Sequence, residues 1–132
     1  MSDEENLFFI LLATFLISCL VGGIGGPHSS PKSVVRAFVD ASVAKDCERV
    51  ASLVSPDRRD QYRVDHLCGG FASASIDHIL VRNGNGGMIG KKMVTMVGSF
   101  ELAVEDWDNV SKRGDYLIVA EELNGKWYIY KP

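Results

Sequence analysis

The apolar residues of this 132-residue chain change their period at Gly69-Gly70. Before that point they recur every three or four positions; after it they alternate with polar residues. The first spacing marks helices that bury one stripe, and the second marks strands that bury one face. Helices that come first in the chain and strands that follow imply an α+β domain, with the helices packed on one face of an antiparallel sheet.

The helical half is clearest over residues 29–55, SSPKSVVRAFVDASVAKDCERVASLVS. Ser30-Pro31 starts a helix, with serine as the cap and proline where its missing N–H costs nothing. Val34, Val35, Phe38, Val39, Ser42 and Val43 then form one stripe, and Lys32, Arg36 and Asp40 fall off it. Lys45-Asp46 breaks the pattern, and Asp46 caps a second helix carrying Val50, Ala51, Leu53 and Val54. Ser55-Pro56-Asp57 repeats the starting device for a third helix, expected over 56–67 and burying Tyr62, Val64 and Leu67. Gly69-Gly70 ends it.

Residues 71–82 read as the first strand, and Asn83-Gly84-Asn85-Gly86-Gly87 as a turn of residues that tolerate positive φ. That turn is not a phosphate loop, because it lacks the Lys-Ser/Thr pair and the helix that should follow. Residues 91–107 are long enough to bend, and Gly98 is the natural place for a bulge or kink. Residues 108–115 read as a polar turn, and 115–132 as a closing hairpin around Asn124-Gly125. The expected sheet is bent and antiparallel, with three to four strands.

Ahead of this domain, residues 7–24 hold 18 positions without a charge, near the lower limit for a membrane-crossing helix. Leu16-Ile17-Ser18-Cys19 resembles a lipobox, which makes Cys19 a lipidation candidate. The expected layout is an acidic N-terminus at 1–6, a membrane helix or lipoprotein signal at 7–24, a Gly-rich linker at 25–30, and the domain at 31–132. Lys32 and Arg36 follow the apolar run and nothing basic precedes it, which favours a cytoplasmic-facing domain. Lipobox and cysteines favour the outer face, and the outer face is the expectation.

From Pro27 onward the chain carries 14 basic and 14 acidic residues, so it offers no basic face for nucleic acid. Cys47 opens the second helix and Cys68 closes the third, so antiparallel packing makes them a disulfide candidate, with free thiols as the alternative. Asp65, His66 and Cys68 lack a second ligand cluster, and no metal or cofactor is expected. Trp107, Trp127, Tyr128 and Tyr130 suit either the lining of a pocket or sheet packing, and core packing is the expectation.

The stretch SPKSVVRAFVDASVAKDCERVASLVSPD, the strands after it and the terminal NGKWYI are similar to small exported domains of the nuclear-transport-factor-2-like superfamily. The resemblance covers about residues 30–132 and contains no catalytic motif. It implies a cone-like domain whose open end takes a small apolar ligand or a protein partner. The same fold on a single anchor also resembles scaffold components of type IV secretion machines. Catalytic members of the superfamily imply an alternative, an isomerase or dehydratase that moves protons with Asp or His in an apolar pocket. Asp77 and His78 are the one such pair on an expected strand. Being consecutive, they are expected on opposite faces, with at most one in the cone. The leading expectation is a membrane-anchored, non-catalytic binding or interaction module.

Overall fold

In the computed structural model the chain is described over residues 26–104 and 108–132. Helix α1 spans Pro31–Val43 and α2 spans Cys47–Leu53. A 3-10 segment at Pro56–Gln61 and a single-turn helix α3 at Val64–Leu67 follow. Four strands complete the domain: β1 at Phe71–Asn83, β2 at Lys92–Leu102, β3 at Val110–Leu123 and β4 at Lys126–Lys131. They form one antiparallel sheet in the order β1-β2-β3-β4, and α1 lies across it.

Local chemistry fixes the helix ends. Ser30 Oγ accepts the Ser33 N–H at 3.0 Å, with Pro31 at the first helical position. At the far end Lys45 turns to φ 57°, and the Lys45 and Asp46 N–H groups reach back to the Ser42 and Ala41 carbonyls. Two carbonyls left over by the helix are thereby satisfied. Asp46 then caps α2 by accepting the Arg49 N–H at 3.3 Å.

The core lies between α1, α2 and one face of the sheet. Val34, Val35, Phe38 and Val39 from α1 meet Val50, Leu53 and Val54, and beneath them lie Val94, Met96, Phe100, Ile118 and Ile129. Ser42 is fully buried on the same helix and acts as a polar hub. Its hydroxyl donates to the Leu67 carbonyl at 2.7 Å and accepts the N–H groups of Phe71 and Gly69 at 3.1 and 3.3 Å. One side chain thus joins α1 to the connection between the helical and sheet halves.

Several expectations are corrected. Among the described residues no helix is long and apolar enough to cross a membrane, and the membrane helix of the expected fold is not part of the described architecture. The stretch assigned to it, 7–24, lies outside the described residues, as does Trp107. The single helix expected over 56–67 is broken at Tyr62 and Arg63, which adopt extended backbone. Tyr62 is held there because its hydroxyl donates to the Tyr130 carbonyl at 3.3 Å and accepts from Arg58 at 3.0 Å. Residues 110–115, expected as a turn, are strand: Ser111, Lys112, Arg113 and Gly114 pair with Glu101, Phe100, Ser99 and Gly98. Their polar composition reflects an exposed strand end rather than a loop.

The Gly-rich linker is also part of the fold from Gly26 onward. The Trp127 N–H donates to the His28 carbonyl at 2.9 Å, and His28 Nδ1 lies 2.8 Å from the Trp127 carbonyl oxygen. The imidazole also packs on Tyr128, with ring centroids 4.7 Å apart. His28 thus fastens this stretch to β4.

Candidate functional site

The bend of the sheet decides where Asp77 and His78 point. Ile76 pairs with Gly98 and His78 with Val97, which leaves Asp77 as an extra residue, a β-bulge. Gly98 was the expected place for the bulge, but the added residue belongs to the facing strand. Gly98 is what permits it: a Cβ there would overlap the Ser75 carbonyl oxygen and lie 3.1 Å from Ile76 Cα. Because of the extra residue, Ile76 and Ile79 both turn inward while Asp77 and His78 are both exposed on the outer face. The opposite-faces rule fails here because it assumes an unbroken pleat. Neither side chain lines the buried space under the helices.

The space under the helices, the cone of the sequence reading, is filled. Phe71, Phe100 and Tyr116 pack ring to ring, with centroid distances of 6.0, 5.0 and 5.9 Å. Phe38 closes on them from α1, leaving a cavity of about 70 Å³ lined also by Leu67 and Pro132. Sites for small molecules usually offer about 300 Å³ or more. Burial pushes the Tyr116 phenol above its ordinary pKa, as expected for a hydroxyl held among aromatic rings.

Larger depressions are open to solvent. One lies on the outer face, about 410 Å³, lined by Ser73, Ser75, Ser99, Glu101, Ser111 and Arg113. Arg113 spans it, donating to Ser99 Oγ at 2.8 Å. The outer face continues toward the other end of the sheet with Val97, Leu117 and Leu80. Leu117 and Leu80 both pair with Thr95, on one rung with it between them, and are 44% and 52% exposed. Helices α1 and α2 cover the other face; on this one Thr95 and Val119 are buried, while Leu80 and Leu117 are not.

Cys47 and Cys68 form a disulfide, with Cα atoms 5.0 Å apart. It ties the start of α2 to the end of α3, next to the Ser42 hub. Asp65 and His66 lie beside it along an open groove of about 430 Å³ with Lys45 and Val104. Asp65 is paired with Arg63 at 3.2 Å. Burial acts to raise the Asp65 pKa, but the Arg63 hydrogen bond and the Arg63 and His66 charges outweigh it and hold the pKa below the usual value. No group of three metal-ligating side chains occurs among the described residues. Cys19, the lipidation candidate, lies outside them.

One cluster had no signature in the sequence. Tyr130 carries the Arg58 guanidinium at 4.0 Å and the Lys91 ammonium at 4.3 Å from its ring centroid. Arg58 Nε is buried without a hydrogen-bond partner, while the guanidinium stacks on Tyr130 and donates to the Tyr62 hydroxyl. Residues 39 and 72 positions apart meet only in the fold, and no local spacing announces them.

No protein-family model matches the chain, and no curated protein does. Among solved structures it resembles a SEC-C motif-containing protein from Rhodopseudomonas palustris, with a TM-score of 0.52 at 18% identity. That match covers 78% of this chain and 77% of the other. A putative calcium/calmodulin-dependent protein kinase II association domain from Xanthomonas campestris matches at a TM-score of 0.46 and 16% identity, covering 74% and 79%. At such identities the first likeness speaks to fold alone.

Proposed function

We propose that this domain is a non-catalytic interaction module that docks a protein partner on the outer face of its sheet. The carrying observation is the contrast between the two faces: the inner one is closed by its own aromatic residues, and the outer one presents Leu80 and Leu117 uncovered. A bound small molecule has no room inside. Exposed leucines beside an Arg113-spanned, serine-lined trough combine an apolar centre with a polar rim, the usual composition of a protein-docking surface. The resemblance to exported domains of the nuclear-transport-factor-2-like superfamily supports the same reading.

The disulfide supports work in an oxidising compartment, outside the cytoplasm. The uncharged run at 7–24 and the lipobox-like Leu16-Ile17-Ser18-Cys19 support export and attachment through acylated Cys19. Intact mass of the native protein checks this part: a chain beginning at a lipid-modified Cys19 is expected, and an unprocessed chain with free thiols refutes it. The docking surface is tested by photo-crosslinking in cells. A photoreactive residue replacing Leu117 is expected to give a discrete adduct with another protein, and one replacing Glu48, exposed on α2, is not. Equal yields, or none from position 117, refute the reading.

A further inference from the structure

The two edges of the sheet are treated differently. On the β4 side, the Ser55 N–H donates to the Ile129 carbonyl at 2.8 Å, and Trp127 is bonded to His28. On the β1 side no described strand or loop pairs with the outer edge. Such an edge displays a row of free backbone donors and acceptors, and proteins rarely leave one 13 residues long.

Exposed side chains on this edge say what covers it. Leu80 is 52% exposed on the outer face and Val81 39% exposed on the inner face. A partner laid on either face would cover one and leave the other; a strand alongside β1 covers both. We infer that the second strand is β1 of another copy of this chain, paired antiparallel about a two-fold axis at Leu80. In that register Leu80 faces itself, Ile79 faces Val81, and His78 faces Arg82 of the second copy. The bulge turns Asp77 to the same outer side as Arg82, so an Asp77 carboxylate meets an Arg82 guanidinium twice by symmetry. Neither residue has an ion-pair partner among the described residues. The register also carries the turn after β1, with Ile89 74% exposed, toward the groove between α1 and β1 of the other copy. That groove, about 270 Å³, is lined by Val39, Val43, Ala74 and Ile76, with Arg36 and Asp40 at its rim. One symmetric contact thus covers Leu80, Val81 and Ile89 and pairs two charges. A surface of this size, one strand wide, fits a reversible dimer rather than a permanent one.

Directly opposed residues on antiparallel strands have Cα atoms roughly 4.5–5.5 Å apart, within disulfide range. The test is Leu80→Cys in the full chain carrying Cys19→Ser, under mild oxidation. A disulfide-linked dimer is expected, at least about ten times more abundant than from Ser75→Cys on the same strand and face. Sedimentation then follows charge. Arg82→Glu is expected to raise the dimer Kd about tenfold, and the double variant Asp77→Arg, Arg82→Glu to restore it. Equal cross-linking at positions 75 and 80, or a wild-type chain that stays monomeric up to millimolar concentration, overturns the inference. An adduct at Leu117 with a different protein, found alongside a monomeric chain, sinks the dimer and leaves the docking face standing.

Discussion

Gly98→Ala tests the account of the bent sheet most directly. Gly98 sits opposite the bulge, where β1 approaches so closely that an added Cβ would overlap the Ser75 carbonyl oxygen and lie 3.0 Å from its carbon. These are backbone atoms of a paired strand, so no flexible side chain can move aside. Relief requires β1 to move away from β2 by about an ångström. Overpacking of this kind costs about 1–3 kcal/mol. Stretching one or two ladder hydrogen bonds adds about 1–2 kcal/mol. Against this, alanine lowers the entropy of the unfolded chain, worth about 0.4–1 kcal/mol. The net loss is about 1–5 kcal/mol, a fall in Tm of roughly 5–23 °C for a domain near one hundred residues. Gly87 supplies the control: nothing lies within 4 Å of its added Cβ, and it sits in a short 3-10 segment. Gly87→Ala is expected to be neutral or slightly stabilising. Urea unfolding followed by circular dichroism, with the disulfide intact, reads both variants. A Gly98→Ala variant as stable as wild type would refute the claim that the bulge depends on the missing side chain.

Other perturbations follow from the same geometry. Ser42→Ala leaves the Leu67 carbonyl and the Phe71 N–H without their partner, and a loss of about 2–4 kcal/mol is expected in the same urea assay. A loss below about 0.5 kcal/mol would show that water replaces the hydroxyl freely. Replacing Cys47 and Cys68 together by serine opens a loop with a sequence separation of 21, and should cost roughly 3 kcal/mol. An unchanged urea midpoint would contradict it. Burial raises the Tyr116 pKa in the folded state above its unfolded value, so the folded protein holds that proton more tightly. Its contribution to stability is full below the unfolded pKa and fades as pH rises through the folded one. Stability should therefore fall more steeply above about pH 10 in wild type than in Tyr116→Phe, and parallel curves would refute the assignment.

Much of the helical half was legible because its signals are local. Ser30, Pro31 and Asp46 each act within one turn of themselves, and the stripe on α1 is a periodicity any helix must respect. Cys47 and Cys68 were legible for a related reason: they sit at ends of consecutive helices, which short connections force together. The break at Tyr62 was not, because it depends on a carbonyl of β4. Strand residues 110–115 were misread as a turn because a polar sequence at an exposed strand end satisfies its hydrogen bonds across the sheet, not within itself.

The candidate site divides along the same line. Sequence singled out Asp77 and His78 by residue type, and the bulge then sent both to the outer face. Nothing in the strand between Ser73 and Arg82 marks the extra residue; it exists because Gly98, on another strand, leaves room for it. Likewise the aromatic closure by Phe71, Phe100 and Tyr116 joins three strands.

By itself, then, the sequence determined that helices precede an antiparallel sheet, which residues cap and stripe those helices, and that the folded part is charge-balanced. These depend on contacts within a few positions, which the order of residues encodes directly. Tertiary structure alone decided that the interior is full, that Leu80, Leu117 and the β1 edge stay exposed, and that His28 is fastened to β4. Those outcomes depend on which distant backbones come within a few ångströms of each other, as the missing Cβ at Gly98 does for the bulge at Asp77.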